Sequence, residues 1–130
     1  MTSPLIFAII LHFISDFLLQ SREVAKNKSS SWKHLGKHIG IIFVCFLPFG
    51  LKISAANAIV HGVIDKFIWN LYKYNVMKRI SKDKKHLLID QLEAKANWKY
   101  WEDHWFYATI GLDQLLHTLT LVVLIGVWYV

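Results

Sequence analysis

The stretch HFISDFLLQ, residues 12–20, lies in the middle of the first apolar segment of the chain. Its spacing places His12, Asp16 and Gln20 on one face of a helix whose other residues are mostly apolar. Ionisable side chains are costly inside a hydrocarbon layer, so a helix that carries such a face needs polar partners on neighbouring helices. We therefore expect the other apolar segments to supply those partners.

Each of the other long apolar segments carries a polar pair with the same spacing of four residues. The pairs are His34 with His38, His61 with Asp65, and Asp113 with His117. Three of the nine acidic residues, Asp16, Asp65 and Asp113, lie inside apolar segments, and each has a histidine four residues away. Acidic residues are rare in membrane-spanning helices unless they serve a site. The pattern predicts that four helices turn these faces toward one shared site.

Both the composition and the distribution of charge indicate an integral membrane protein. The chain has 130 residues, of which 55% are hydrophobic and 15% aromatic, and we interpret residues 1–130 as one membrane domain. Of the 15 Lys and Arg residues, five lie between Arg22 and Lys37 and eight between Lys73 and Lys99. Since Lys and Arg accumulate in cytoplasmic loops, both basic stretches are predicted to be cytoplasmic and both termini outside. The net charge of +6 then reflects topology, and we expect no nucleic-acid partner.

The predicted fold class is an all-α, integral membrane four-helix bundle. Its spans are expected at about residues 4–20, 32–47, 54–72 and 106–129, with a hydrophilic cytoplasmic segment at about 73–105. An apolar stripe in that segment predicts an amphipathic helix on the inner leaflet between spans 3 and 4, or else a solvated helix packed on the bundle. Because so short a chain builds only a small core, we expect membrane lipids as partners and homo-oligomerisation as a source of stability.

The predicted depths of the polar residues agree with a shared site. Counted from the predicted cytoplasmic ends of the spans, Asp16 lies ~6 Å deep, Asp65 and Asp113 ~10 Å deep, at ~1.5 Å of rise per residue. On the same count His61 and His117 lie ~16 Å deep. The polar groups therefore converge on one layer in the cytoplasmic half of the membrane.

The residue types in this layer suit a divalent metal site. Imidazole and carboxylate groups are ligands for zinc, iron and manganese, and a divalent ion offsets the cost of burying carboxylates. The candidate ligands are His12, Asp16, His38, His61, Asp65, Asp113 and His117. This set exceeds the four ligands of a structural zinc and suits one or two ions. The alternative is a set of metal-free His–Asp hydrogen bonds that hold the bundle together.

Two further groups of residues follow from this interpretation. The candidate catalytic residues are the carboxylates Asp16, Asp65 and Asp113. The candidates for orienting ligands or binding a phosphate are Gln20, Lys26, Lys28, His34, Lys66 and Gln114. Two of these have alternative positions, since His34 lies close to the interface with water and Lys66 can extend to the inner interface.

The chain resembles a family of small phage and bacterial membrane proteins catalogued as domain of unknown function 3307. The resemblance rests on HFISDFLLQ at residues 12–20, on His34 and His38, on HGVIDK at 61–66 and on DQLLH at 113–117. It extends over nearly the whole chain and implies a multi-pass protein of the cytoplasmic membrane of a bacterium. A looser similarity to membrane proteins described as metal-dependent hydrolases is an analogy in the placement of His and Asp.

Three hypotheses for function remain after these observations. The first is metal-dependent hydrolysis of a lipid-linked or phosphate-containing substrate, in which the metal makes a bound water nucleophilic. The second is proton or ion conduction along the ladder of His and Asp side chains. The third is a phage-type structural or host-interaction protein in which the polar pairs only specify helix packing.

Overall fold

The computed structural model describes residues 2–80 and 99–129. The helices are α1 at Thr2–Phe13 with a π-helical extension at Ile14–Leu18, α2 at Arg22–Asn27, and α3 at Trp32–Phe46 with a 3₁₀ turn at Leu47–Phe49. They continue with α4 at Leu51–Ile80, a 3₁₀ turn at Tyr100–Glu102, and α5 at His104–Leu124 with a π-helical extension at Ile125–Tyr129. The described residues contain no β-strand, which confirms the all-α class.

The observed helices differ from the predicted spans in two places, the third helix and the connection between the first two spans. The third helix begins at Leu51 rather than near Ser54 and continues without a break to Ile80. The connection between the first two spans contains a short helix, α2, that was not predicted. It forms because Ser21 caps it, accepting a hydrogen bond from the Val24 backbone N–H at 3.2 Å, and because Val24 is buried. Most of the predicted amphipathic helix falls outside the described residues.

A tight turn joins α3 to α4. Pro48 lies in the 3₁₀ turn, and Gly50 follows with a φ of 97°, a conformation that glycine adopts at little cost. The two helices then pack closely along their length. A Cβ atom on Gly62 would lie 2.9 Å from Cγ2 of Ile39, so this approach depends on a glycine.

The bundle has an apolar core on one side of the buried polar residues. In the core, α1, α3, α4 and α5 bury Ala8, Ile42, Phe46, Phe49, Ile53, Ala58, Leu121, Leu124 and Ile125. On every helix these residues lie nearer than the polar pair to the α3–α4 turn, as expected for helices that alternate in direction. The polar residues form a second layer, toward the opposite end of the bundle.

One described helix, the continuous stretch His104–Tyr129, has both the length and the hydropathy needed to cross a membrane. Ser3–Leu18 is apolar but shorter. The helix α3 has only 15 residues, and α4 carries Lys52, Asp65 and Lys66 among its apolar residues. Length and hydropathy therefore support one of the four predicted spans within the described residues.

Candidate metal centre

Four side chains from three helices bring one ligand atom each to the centre of the polar layer. Nε2 of His38 lies 2.9 Å from Nε2 of His61, 3.0 Å from Oδ1 of Asp16 and 3.1 Å from Oδ2 of Asp65. Nε2 of His61 lies 3.3 Å from Oδ2 of Asp65 and 3.5 Å from Oδ1 of Asp16. All four residues are buried.

These spacings fit a tetrahedral ion site. Nitrogen and oxygen ligands that lie 2.0–2.1 Å from a zinc ion at tetrahedral angles are about 3.3 Å from one another. Five of the six separations among the four atoms run from 2.9 to 3.5 Å. These spacings are compatible with an ion between the four atoms.

A second group of ligand atoms adjoins the first and shares Asp16 with it. Asp16, Asp113 and His117 each place one ligand atom within 4.8 Å of the other two. Nε2 of His117 lies 3.4 Å from Oδ1 of Asp113. That oxygen is buried and accepts no well-aligned hydrogen bond from the described residues, which leaves it available to an ion.

Two carboxylates connect the two groups. Oδ1 of Asp16 faces His38 and His61, whereas its Oδ2 accepts a hydrogen bond from the Gln114 amide at 3.0 Å. Oδ2 of Asp65 likewise faces the first group, and its Oδ1 lies 3.2 Å from Nε2 of His117. Carboxylates with one oxygen toward each of two adjacent positions are suited to bridge two ions.

The Gln114 side chain fixes the orientation of the groups around it. Its amide nitrogen donates to Asp16 at 3.0 Å and to Asp113 at 3.1 Å. Its oxygen accepts from Nε2–H of His12 at 3.0 Å. His12 was predicted as a ligand, but in this geometry its Nε2 is engaged by Gln114 and lies outside both ligand groups. The predicted orienting role of Gln114 agrees with these contacts.

The local shape of α1 positions Asp16. The helix changes from α to π at Ile14, and the Leu19 backbone N–H bonds to the Ile14 carbonyl at 3.0 Å. Ser15 donates to the Leu11 carbonyl at 2.8 Å within this turn. Asp16 lies within this π-helical segment, a type of helix that is frequent at functional sites.

Lys28 enters the cluster from the connection between α2 and α3. Its Nζ lies 3.3 Å from Oδ1 of Asp16 and 3.0 Å from Oδ2 of Asp65, with only 6% of the side chain exposed. Burial by itself lowers the pKa of Lys28, but the two nearby carboxylates more than reverse this, and the pKa is raised. The ammonium group therefore supplies a positive charge to two buried carboxylates.

The structure places two predicted residues away from the cluster. Nε2 of His34 is 2.9 Å from Oε1 of Glu23. Nζ of Lys66 lies 4.0 Å from the centre of the Trp32 ring and 3.5 Å from the Ser29 carbonyl oxygen. The predicted roles of His34 and Lys66 next to the ligands do not agree with these positions. The 100° rotation between adjacent helical residues explains why Lys66 points away from the face of its neighbour in sequence.

A cavity of about 230 Å³ opens beside the second ligand group. Its lining includes Asp16 and Asp113 together with the predicted residues Gln20, Lys26 and Lys28. Two lining cations were not predicted, Arg22 and Lys73. Lys73 follows Asp65 by eight residues, close to two helical turns, so this spacing was a usable signal.

Comparison with known proteins identifies the chain at the level of a family. Residues 5–130 match a family model described as "Protein of unknown function (DUF3307)". The chain belongs to the DUF3307 family. This confirms the resemblance seen in the sequence, and the description of DUF3307 names no activity. No curated protein and no solved structure matches this DUF3307 member.

Proposed function

We propose that this DUF3307 member is a four-span protein of the bacterial cytoplasmic membrane that hydrolyses a lipid-linked or phosphate-containing substrate at one or two divalent metal ions. The ions would be zinc, iron or manganese, the metals that accept imidazole and carboxylate ligands together. The observation that carries the proposal is the convergence of buried His and Asp ligand atoms into two adjacent groups that share Asp16.

The distribution of polar and apolar side chains supports a membrane location. The buried interior holds the His and Asp residues described above, whereas large apolar residues face outward, among them Ile59, Val63 and Phe67, each about two-thirds exposed. This is the reverse of the arrangement in a water-soluble bundle, and it suits a bundle that is surrounded by lipid. In this proposal, the basic stretches lie in the cytoplasm and both termini lie outside.

The two ligand groups suit different tasks. The first offers four protein atoms and so fills a tetrahedral site, as in structural zinc sites. The second offers three, and two of its residues, Asp16 and Asp113, line the cavity. Catalytic zinc sites have three protein ligands and keep one position for water. A metal held there by Asp16, Asp113 and His117 would supply a water with a pKa near 7 as the nucleophile.

The activity is tested by phosphate release. We expect purified protein supplied with zinc or manganese to release phosphate from dodecyl phosphate, and we expect Asp113→Asn to lower the rate at least about 100-fold, because it removes a carboxylate ligand of the catalytic metal. His34→Gln is the matched control, since His34 contacts Glu23 and not the cluster. Equal rates for wild type and Asp113→Asn would contradict the assignment.

The metal-free packing role is the second candidate, and Lys28 is the observation that favours it. Its ammonium group already neutralises part of the charge on Asp16 and Asp65. Proton conduction has less support, because the buried side chains between the polar layer and the α3–α4 turn are mostly apolar, with Ser54 and Asn57 as buried polar side chains there. A relay across the membrane needs a continuous path of polar groups or water.

A further inference from the structure

The cavity beside the second ligand group is strongly basic for its size. Four cations line it, Arg22, Lys26, Lys28 and Lys73, against the two carboxylates Asp16 and Asp113. Lys28 also pairs with Asp65 outside the lining, so the lining cations and the carboxylates they face differ by one positive charge. Low-dielectric walls strengthen the field of such charges, so the cavity attracts anions.

Two of the cations are held in place. Lys73 is 8% exposed, and its Nζ donates to Oγ of Ser29 at 2.6 Å and to Oγ of Ser30. Lys28 is 5% exposed and contacts Asp16 and Asp65. Because these ammonium groups are fixed before a ligand arrives, binding an anion there loses little side-chain entropy.

Part of the cavity wall is apolar and reaches the exterior of the bundle. Phe17, Trp69, Phe106 and Ile110 belong to the lining, and Phe17 is 44% exposed on the outer apolar surface. The volume of 230 Å³ corresponds to about seven waters at ~30 Å³ each. That space holds a phosphate group and the first carbons of an attached chain.

We propose that this cavity binds the phosphate group of a lipid phosphate, with Arg22, Lys26 and Lys73 around the phosphate and the alkyl chain leaving past Phe17. This inference rests on the proposed function and specifies its substrate class. The phosphate would lie against Asp113 and Asp16, next to the ligand position that the protein leaves open. The carboxylates of Asp113 and Asp16 repel phosphate oxygens. Binding of a phosphate there therefore requires the cations on its opposite side.

The position of Lys28 adds a second consequence. An ion held by Oδ1 of Asp16 and Oδ2 of Asp65 takes the place of Lys28 as their positive partner, and the two cations repel each other. Lys28 then turns toward the cavity that it already lines, where it strengthens binding of an anion. Metal and phosphate therefore increase each other's affinity by the same factor.

Binding is measured on the full-length protein in dodecyl maltoside, by titration with dodecyl phosphate and, separately, with inorganic phosphate. We expect Arg22→Gln/Lys26→Gln to weaken dodecyl phosphate binding at least about tenfold. The matched control is Lys33→Gln/Lys37→Gln, which removes the same charge from exposed positions of α3 outside the cavity lining. Equal loss in both double variants, or no loss in either, would overturn the inference.

Two further sets of titrations distinguish failure of this inference from failure of the proposed function. Inorganic phosphate that binds as tightly as dodecyl phosphate would exclude a lipid as the ligand and leave free phosphate. Titrations with EDTA present test phosphate binding to the cavity without metal. Weaker binding by Arg22→Gln/Lys26→Gln than by wild type under these conditions supports the cavity as the phosphate site even if the protein binds no metal. With zinc, we expect tighter dodecyl phosphate binding in wild type and little change in Lys28→Met; an equal effect of zinc in both would contradict the coupling.

Discussion

At the scale of single residues, the site depends on carboxylates that use both oxygens. Asp16 and Asp65 each direct one oxygen to His38 and His61, and Gln114 or His117 lies at the other. A buried carboxylate without a compensating charge costs several kcal/mol. Lys28 provides one positive charge for the two groups, so a divalent ion improves the balance of charge.

The first prediction concerns Lys28→Met, which keeps an unbranched side chain, one atom shorter, and removes its charge. Without metal, we expect the variant to be less stable by about 3 kcal/mol, because two buried carboxylates lose a paired cation. With zinc, we expect a higher affinity than wild type, because a repelling charge has gone. Thermal unfolding with and without zinc, together with zinc titration against a competing chelator, measures both effects.

The control for this variant is Lys37→Met, which removes a charge from an exposed position. We expect it to change neither stability nor zinc affinity. A Lys28→Met variant that binds zinc more weakly than wild type would show that Lys28 supports the metal site instead of competing with it.

The parts of the site that were predictable from the sequence are those that depend on local contacts. The four i, i+4 pairs were visible because helical geometry alone places them on one face, and acids inside apolar segments indicated a buried site. The contacts of Lys28 come from a connection whose path is set by tertiary packing, and its direct contact with two carboxylates had no local signal. The engagement of His12 by Gln114 likewise depends on how α1 packs against α5.

At the scale of helices, the bundle depends on the close approach of α3 to α4 and on a group of polar contacts at the start of α5, which we call the clamp and which consists of Tyr72, Arg79 and Asp103. Gly62 permits the approach of α3 to α4. At the clamp, Arg79 donates from two nitrogens to Asp103, at 3.0 and 2.8 Å, and Tyr72 donates to the same carboxylate at 2.9 Å. Asp103 also caps α5 by accepting from the Trp105 backbone N–H. The clamp thus fixes the end of α4 to the start of α5.

The second prediction compares two glycine substitutions. Gly62→Ala places a methyl group against Ile39, so we expect a loss of about 1–3 kcal/mol of stability from overpacking. Gly40→Ala meets no atom within 4 Å, and we expect a gain of up to about 1 kcal/mol from helix propensity. Thermal unfolding of both variants in the same detergent distinguishes them. Equal effects of the two changes would mean that the close helix approach is absent.

The third prediction is a pH dependence at the clamp. Arg79 first, and then Tyr72, hold the pKa of Asp103 below its usual value, with burial opposing them. A carboxyl whose pKa is lower in the folded state adds stability above its unfolded pKa of ~3.9, and this stability is lost as the pH falls through the folded pKa. We expect Asp103→Asn, which keeps a good helix cap, to cost about 1 kcal/mol at pH 7.

The measurement for this clamp is the difference in stability between wild type and Asp103→Asn as a function of pH. We expect the difference to stay constant from pH 7 to about pH 5 and to shrink below about pH 4. The exposed pair Lys99–Glu102, 3.8 Å apart, gives a control in Glu102→Gln, with a change close to zero. A difference that grows as the pH falls would contradict the assigned direction.

The helices themselves were largely predictable, because long apolar segments bounded by Ser, Pro and Gly have few alternatives. The start of α4 at Leu51 and the short helix α2 were missed. Both depend on features that act over a few residues in the folded chain, the positive φ of Gly50 and the burial of Val24. The π turn at Ile14–Leu18 leaves no signature in the pattern, because it changes the hydrogen bonds and not the residue types.

At the scale of the whole molecule, a buried polar layer lies beside an apolar core, and many large apolar side chains are exposed. On the proposed membrane location, lipid would cover those exposed apolar side chains. The positions of the basic residues indicate how the bundle would be oriented across the membrane. They accumulate at the end of the bundle that holds Lys26, Lys73 and Lys78. That end is expected to face the cytoplasm.

The fourth prediction tests this orientation by cysteine labelling. In a Cys45→Ala background, we expect Lys52→Cys, beside the α3–α4 turn, to react with an impermeant maleimide added to intact cells. We expect Lys78→Cys, which is equally exposed on the protein surface, to react only after the membrane is permeabilised. The reverse pattern, or reaction of both positions from outside, would contradict the proposed topology.

Whether the buried His and Asp layer binds metal is tested by the metal content of the protein. We would purify the full-length protein in mild detergent without chelator, supply zinc, iron or manganese, remove the excess and determine the metal per chain by mass spectrometry. We expect one or two ions per chain in wild type and in His34→Gln, and a large loss in Asp16→Asn, because Asp16 belongs to both ligand groups. Folded wild-type protein without stoichiometric metal, or an Asp16→Asn variant that retains all of it, would contradict metal binding by this layer.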